Sequence, residues 1–133
     1  MLRGLSAATA DMKAPGEPLL GLIPKDLVGR QLVAKFFRAL GDPTRLALLD
    51  FCASGERRGT ECVGHVQLSQ GRVAAHLACL VTCGLLTVRR DGRSAFYSVR
   101  DPRVLELLRV SQALVAEQAE EIASCTRVDG SPA

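Results

Sequence analysis

The segment LLTVRRDGRSAFYSVR, residues 85–100, constrains the fold more than any other stretch. Leu86 and Val88 before Asp91-Gly92, and Ala95, Tyr97 and Val99 after it, recur at the period of two that a half-buried strand requires. Asp-Gly between two such runs is a strong hairpin signal, because glycine supplies the positive φ of a tight strand reversal. The segments on either side repeat with a helical period instead. A fold for this chain must seat one two-stranded hairpin among helices.

Those helices can be placed from their apolar spacing and punctuation. From Asp26 to Leu40, the apolar residues Leu27, Val28, Leu32, Val33, Phe36, Phe37 and Leu40 recur at helical spacing, and Gly41 ends the run. The stretch GDPTRLALLDFCAS starts again: Asp42 suits an N-cap and Pro43 the first helical position. Leu46, Leu48, Leu49 and Phe51 are expected on its buried side, with Gly55 as the stop. A short helix over residues 59–66 carries Cys62, Val63 and Val66. Ser69 is the expected N-cap of a helix running to Gly84, a favourable C-terminal stop. Val73, Leu77 and Leu80 fall on its core face. After Asp101-Pro102, a single long helix is expected over residues 103–125, with Val104, Leu107, Leu108, Ser111, Leu114, Val115, Gln118 and Ile122 on one stripe.

Residues 1–24, with APGEP and no stable period, read as a flexible arm, residues 25–125 as one domain, and residues 126–133 as a frayed tail. Three helices followed by a basic hairpin make a winged helix-turn-helix. The expected fold is thus mainly α with a β-hairpin wing, homodimeric through the terminal helices.

Charge points to the same face. The net charge is only +3, but six arginines, at 72, 89, 90, 93, 100 and 103, crowd against Asp91 and Asp101. Clustered cations suit a phosphate backbone, since binding releases its condensed counterions. A helix that enters the major groove needs small or polar residues over its first turns. The stretch SQGRVAAHL supplies them. Ser69 and Gln70 lie at the helix N-terminus, where the dipole favours a phosphate. Gln70 can pair with N6 and N7 of adenine, and Arg72 with guanine or phosphate. Arg89, Arg90 and Arg93 would lie on backbone or minor groove from the hairpin. Double-stranded DNA is the expected partner.

The thiols raise a second question. Cys79 and Cys83, one turn apart on the same helix, differ by about 40° around its axis and about 6 Å along it. Two thiolates so placed can converge on one ion. Cys125, far along the terminal helix, could supply a third from the same or the other protomer. Soft thiolates favour Hg(II), Cd(II) or Pb(II), with arsenite as a trigonal alternative. Free cysteine is also a small hydrophobe; Cys52 is read as a core residue, and so is Cys62, with a supporting ligand role as its alternative. Oxidation is the rival use of such thiols, although an i, i+4 pair in an intact helix is poorly placed for a disulfide.

The combination ALGDPTRLALLDFC, then LSQGRVAAHLACLVTCGLLTVRRDGRSAFYSV, closely resembles the ArsR/SmtB family of metal-responsive bacterial repressors over residues 32–125. The resemblance implies a homodimer that holds operator DNA when ligand-free and releases it on binding an inducer. It also implies that Ser69, Gln70, Arg72 and His76 lie where the recognition helix works. Ala74 departs from the serine or threonine common there. A cysteine pair used by some relatives in the preceding short helix falls on Arg58 and Thr60, so that site is absent. The histidines other relatives place on the terminal helix are absent too. LACLVTCGLL and SCTRV instead match the layout of the CmtR-like cadmium and lead sensors and of actinobacterial mercury repressors. That layout implies Cys79, Cys83 and Cys125 as metal ligands, with no constitutive cofactor.

Other classes are less well served. No apolar run reaches the ~18–20 residues of a membrane span, and MLRGLSAATADMK has no continuous apolar stretch of a secretion signal. The expectation is a cytoplasmic protein with no membrane partner, its five cysteines reduced. His65 and His76 are the chain's two histidines, and no nucleophile, base and orienting group recur at usable spacing, so an enzyme is not expected. A winged-helix module that binds protein rather than DNA is a further rival; salt-dependent DNA binding separates the two.

Overall fold

The computed structural model describes residues 22–129. In chain order it contains α1 (Leu27–Leu40), α2 (Pro43–Ala53), β1 (Arg57–Arg58), α3 (Gly59–Val66), α4 (Gln70–Thr82), β2 (Leu86–Asp91), β3 (Ser94–Val99), α5 (Pro102–Glu117) and α6 (Ala119–Ser124). Four of these helices begin on one device. Asp26, Asp42, Ser69 and Asp101 hold extended backbone, and their side-chain oxygens accept the N–H groups of Gly29 at 2.8 Å, Arg45 at 2.9 Å, Arg72 at 3.2 Å and Arg103 at 2.8 Å. Each bond satisfies an amide that the first helical turn leaves without a partner.

The strands form one antiparallel sheet in the order β1-β3-β2. Leu86 lies opposite Val99, Val88 opposite Tyr97 and Arg90 opposite Ala95. The chain reverses through Gly92, at φ +61°, and Arg93. Positive φ at the first of two loop residues matches the right-handed twist of the flanking strands. The third strand, β1, pairs Arg57 with Tyr97 and Arg58 with Phe96. It went unforeseen because two residues carry no period. It ties the wing to the link between α2 and α3.

The core forms where these elements meet. Leu48, Leu49 and Cys52 of α2, Cys62 of α3, and Val73, Leu77 and Leu80 of α4 are buried with Leu85, Leu86 and Val104. Leu46 does not join them as the sequence suggested; it is exposed. The buried stripe of α2 runs through Leu48, Leu49 and Cys52, with Phe51 stacked on His65 at 4.0 Å.

The expected single helix over 103–125 is instead two. Gln118, at φ −133° and ψ 30°, interrupts it: its N–H bonds Val115 three residues back, and Ile122 N–H restarts the ladder on the Gln118 carbonyl. Neither proline nor glycine lies at the break. In an unbroken helix, Glu120 and Glu121 would lie near the negative C-terminal end of the dipole. The break puts Glu120 and Glu121 in the first turn of α6, the end that favours them. From Arg109 to Asp129 every residue is exposed, including Val110, Leu114, Val115 and Ile122.

Residues 1–21 of the expected arm and 130–133 of the expected tail lie outside the described residues. Among the described residues no helix is long and apolar enough to cross a membrane.

Candidate functional site

α4 separates its faces cleanly. Val73, Leu77 and Leu80 are buried on one side, while Gln70, Gly71, Arg72, Ala74 and Ala75 are exposed on the other. The small residues Gly71, Ala74 and Ala75 leave room for a close approach of the backbone to a groove. The turn into this helix passes through Gln67, the one non-glycine residue with positive φ among those described, at φ 56°. Its N–H bonds the Val63 carbonyl at 2.9 Å and so closes α3 before α4 begins. Ser69 sits at the cap, its oxygen accepting from Arg72 N–H; its hydroxyl proton is still available to a phosphate.

His76 is placed differently from its neighbours on α4. Its side chain is 19% exposed, with Nδ1 3.9 Å from Asp42 Oδ2 and 3.4 Å from Arg45 Nη1. Arg45 in turn donates to the carbonyls of Ala39 at 2.7 Å and Arg38 at 2.9 Å. One guanidinium therefore joins the end of α1, the start of α2 and the middle of α4. Sequence reading missed this role of Arg45, because its partner on α4 lies 31 residues away.

The wing arginines are not equivalent. Arg89 makes a two-pronged pair with Glu56, at 2.7 and 3.2 Å, and stacks 4.4 Å from the centroid of Phe96. Its charge is largely matched at the root of the wing. The Arg89 hydrogen bond holds the Glu56 carboxyl below its ordinary range. Arg90 and Arg93 are exposed and make no ion pair among the described residues. With Arg72 and Gln70, they form the exposed polar and cationic set of the helix and wing.

At the other end of α4, Cys79 and Cys83 are both half-buried. Cys83 closes the helix, its N–H bonding the Cys79 carbonyl at 3.0 Å. Gly84 follows at φ +80°, a conformation glycine adopts without strain. Burial and the neighbouring Cys79 push the Cys83 thiol up, while the charges of Lys35 and Arg45 work in the opposite direction. Cys125 is exposed at the end of α6. The single chain does not gather it with the other two: among the described residues no three His, Cys, Asp or Glu side chains are grouped to hold a metal. The structure thus brings two of the three expected ligands together.

Residues 42–88 match the family described as bacterial regulatory protein, arsR family. A probable mercury resistance operon repressor of Streptomyces lividans is 53% identical over 97 residues, covering 73% of this chain and 78% of its own. The transcriptional regulator CmtR of Mycobacterium tuberculosis is 33% identical over 104 residues, 73% of this chain and 88% of its own. In three dimensions, the homodimeric winged helix-turn-helix DNA-binding domain of a Mycobacterium bovis regulator superposes with a TM-score of 0.66 at 26% identity, covering 77% of this chain and 95% of that one.

Proposed function

The chain belongs to the arsR family of bacterial regulatory proteins, and from that premise we propose that it is a metal-sensing repressor. It holds operator DNA as a homodimer and releases it when Hg(II), Cd(II) or Pb(II) is taken by Cys79, Cys83 and Cys125. The observation that carries this reading is the pair of half-buried thiols, Cys79 and Cys83, one turn apart at the far end of the helix that exposes Gln70 and Arg72. The name of the Streptomyces lividans relative, a probable mercury resistance operon repressor, supports it.

The division of labour follows from chemistry. Arg72, Arg90 and Arg93 neutralise phosphates and supply sequence-independent affinity. Gln70, exposed at the start of α4, reads a base edge. Ser69 and the helix N-terminus receive a phosphate. Val73, Leu77 and Leu80 lock α4 to the core, so both halves of a dimer present their reading helices at fixed spacing. The donor set fits a soft ion: two half-buried thiols one turn apart at the end of α4. A bound ion would supply thiolate bonds that join the end of α4 to the segment bearing Cys125. Because α4 is packed as a rigid unit, any shift of its C-terminal end is felt at Gln70. Release requires that the ion prefer the arrangement that DNA does not, and the coupling is reciprocal.

The test is fluorescence anisotropy of a labelled fragment from upstream of the gene. The protein is titrated in first, then Hg(II), Cd(II), Pb(II), Zn(II) and arsenite. Soft ions should release the DNA, and Cys79→Ser or Cys83→Ser should bind DNA normally but lose that release. Induction that survives Cys79→Ser places the sensing site elsewhere.

A further inference from the structure

Tyr97 and Val99 of β3 pack against the core, and Phe96, which alternates with them, faces the other way. Its neighbours across the sheet are both arginines, Arg58 of β1 on one side and Arg89 of β2 on the other. Each guanidinium carbon stands over the ring, at 5.3 Å and 4.4 Å from its centroid, within reach of a cation–π contact. The row Arg58, Phe96, Arg89 thus crosses all three strands on the outer face of the sheet. The stems of the two arginines cover the ring, which is half-buried.

The two cations differ in what their N–H groups do. Arg89 gives two of its donors to Glu56, at 2.7 and 3.2 Å. Arg58 is exposed and makes no ion pair among the described residues. Glu61, the carboxylate next to it in the chain fold, accepts from the Arg58 backbone N–H instead, at 2.8 Å. A planar fork steadied on an aromatic ring, with no carboxylate on it, suits a phosphate.

We propose that Arg58, held on Phe96, is a contact to the DNA backbone, so that the surface meeting the duplex runs past the hairpin onto the third strand. Two observations name this partner. The charge is unbalanced: Arg58, Arg90 and Arg93 are exposed without ion pairs among the described residues, and Asp91 is the one acid in the sheet. Such a surface favours an anion. The placement is also continuous with the reading surface. Arg58 immediately precedes α3, the first helix of the helix-turn-helix, which crosses the backbone when the second enters the major groove. Phe96 is three residues from Arg93, about 10 Å along the strand. A guanidinium lying over the sheet does not enter a groove, so the contact carries affinity and no sequence preference. This inference rests on the DNA-binding part of the proposed function and not on its metal.

The experiment is anisotropy of the full chain at several salt concentrations, on the operator fragment and on a scrambled duplex of equal length. Arg58→Gln should reduce the slope of log affinity against log salt by about 0.9 on both duplexes. Arg58→Lys, which keeps the charge, should restore it. Phe96→Leu should weaken operator binding several-fold in the wild-type background and add nothing to Arg58→Gln, because the ring acts through Arg58. Circular dichroism matching the wild type confirms that each variant is folded. An unchanged slope in Arg58→Gln overturns the proposal, and so does a loss confined to the operator, which would make Arg58 a base reader. Equal effects of Phe96→Leu in both backgrounds overturn the positioning role of the ring. A wild-type chain that binds neither duplex overturns the proposed function as well, whereas one that binds both while Arg58→Gln keeps the wild-type slope overturns this inference alone.

Discussion

The Arg45 guanidinium stands 3.4 Å from Nδ1 of His76 while it also donates to the carbonyls of Ala39 and Arg38. It therefore closes the C-terminal end of α1 and braces the recognition helix with one planar fork. Lysine cannot copy this, because a single ammonium lacks the fixed, divergent donors. Arg45→Met should lower unfolding free energy by about 1–3 kcal/mol, the range for charged hydrogen bonds to partly buried acceptors. Arg45→Lys should recover only part. Urea titration of the three proteins checks the order; equal midpoints would show that the brace carries no stability.

Acid should loosen the helix starts. The Arg45 backbone N–H, followed by the charges of Arg45 and His76, holds the Asp42 carboxyl below its ordinary range. The side chain and backbone of Arg103 bring Asp101 down to about 2. A carboxylate favoured in the folded state contributes stability above its unfolded pKa, and that contribution is lost as pH falls through the folded value. For Asp101 the window runs from the reference 3.8 down to about 2. Stability measured by urea from pH 5 to pH 2 should therefore decline. Asp101→Asn, which keeps a capping oxygen, should flatten the lower part of that decline. An unchanged slope in Asp101→Asn would assign the acid sensitivity to other groups.

Glu56 sets how much of the wing's charge reaches DNA. Arg93 is exposed without an ion pair among the described residues, whereas Arg89 is held by Glu56 at 2.7 Å. If each freed arginine neutralises one phosphate, Arg93→Ala should reduce the slope of log affinity against log salt by about 0.9. Arg89→Ala should change it less. Glu56→Gln should raise it, by up to about 0.9, because Arg89 is then free to engage a phosphate. Anisotropy at several salt concentrations reads all three. A steeper loss for Arg89→Ala than for Arg93→Ala would refute this division.

Two positive-φ residues should respond with opposite sign. Gly92, at φ +61°, has open space around it, so only backbone strain opposes a side chain there. Gly92→Ala should cost about 1–2 kcal/mol. Gln67 already carries that strain at φ 56°. Gln67→Gly relieves it at the expense of a more flexible unfolded chain, and should stabilise by about 0.5–1 kcal/mol. Thermal and urea unfolding of both variants decide the matter; a destabilised Gln67→Gly would mean that the glutamine side chain makes up for its own strain.

Much of this architecture was legible because local signals agreed with the packing. Asp42-Pro43, Ser69, Gly84 and Asp91-Gly92 each fix a start, stop or turn within a few residues, and Val73, Leu77 and Leu80 mark a core face by period alone. What escaped was decided by long-range pairing or left the apolar period unbroken. β1 exists because Arg57 and Arg58 find the edge of β3, not because two residues prefer a strand. The break at Gln118 left no mark in the apolar period, which runs on from Leu114 and Val115 to Ile122. Of the site, the pair at Cys79 and Cys83 was visible in its spacing. The link from Arg45 to His76 was not.

The last prediction concerns what covers the exposed terminal helices. Leu114 is 62% exposed, with Val110, Val115 and Ile122 also open to solvent on α5 and α6. Capping interactions and helix propensity alone hold a helical segment of this length only marginally in water, so its stability must come largely from burial. Under the proposed function the partner is a second copy of the chain, which would place two reading helices on one operator. Leu114→Glu puts a charge in that interface while leaving the core built on Leu48, Leu80 and Leu86 untouched. It should sediment as a monomer at micromolar concentration, keep its helical circular dichroism up to β3, and bind operator on the order of 100-fold more weakly, because the two half-sites no longer reinforce each other. Sedimentation velocity and anisotropy on one preparation check both parts. A variant that remains dimeric would move the interface to the exposed Leu27, Val28 and Phe37 of α1; a monomer with undiminished operator affinity would show that each wing and recognition helix acts alone.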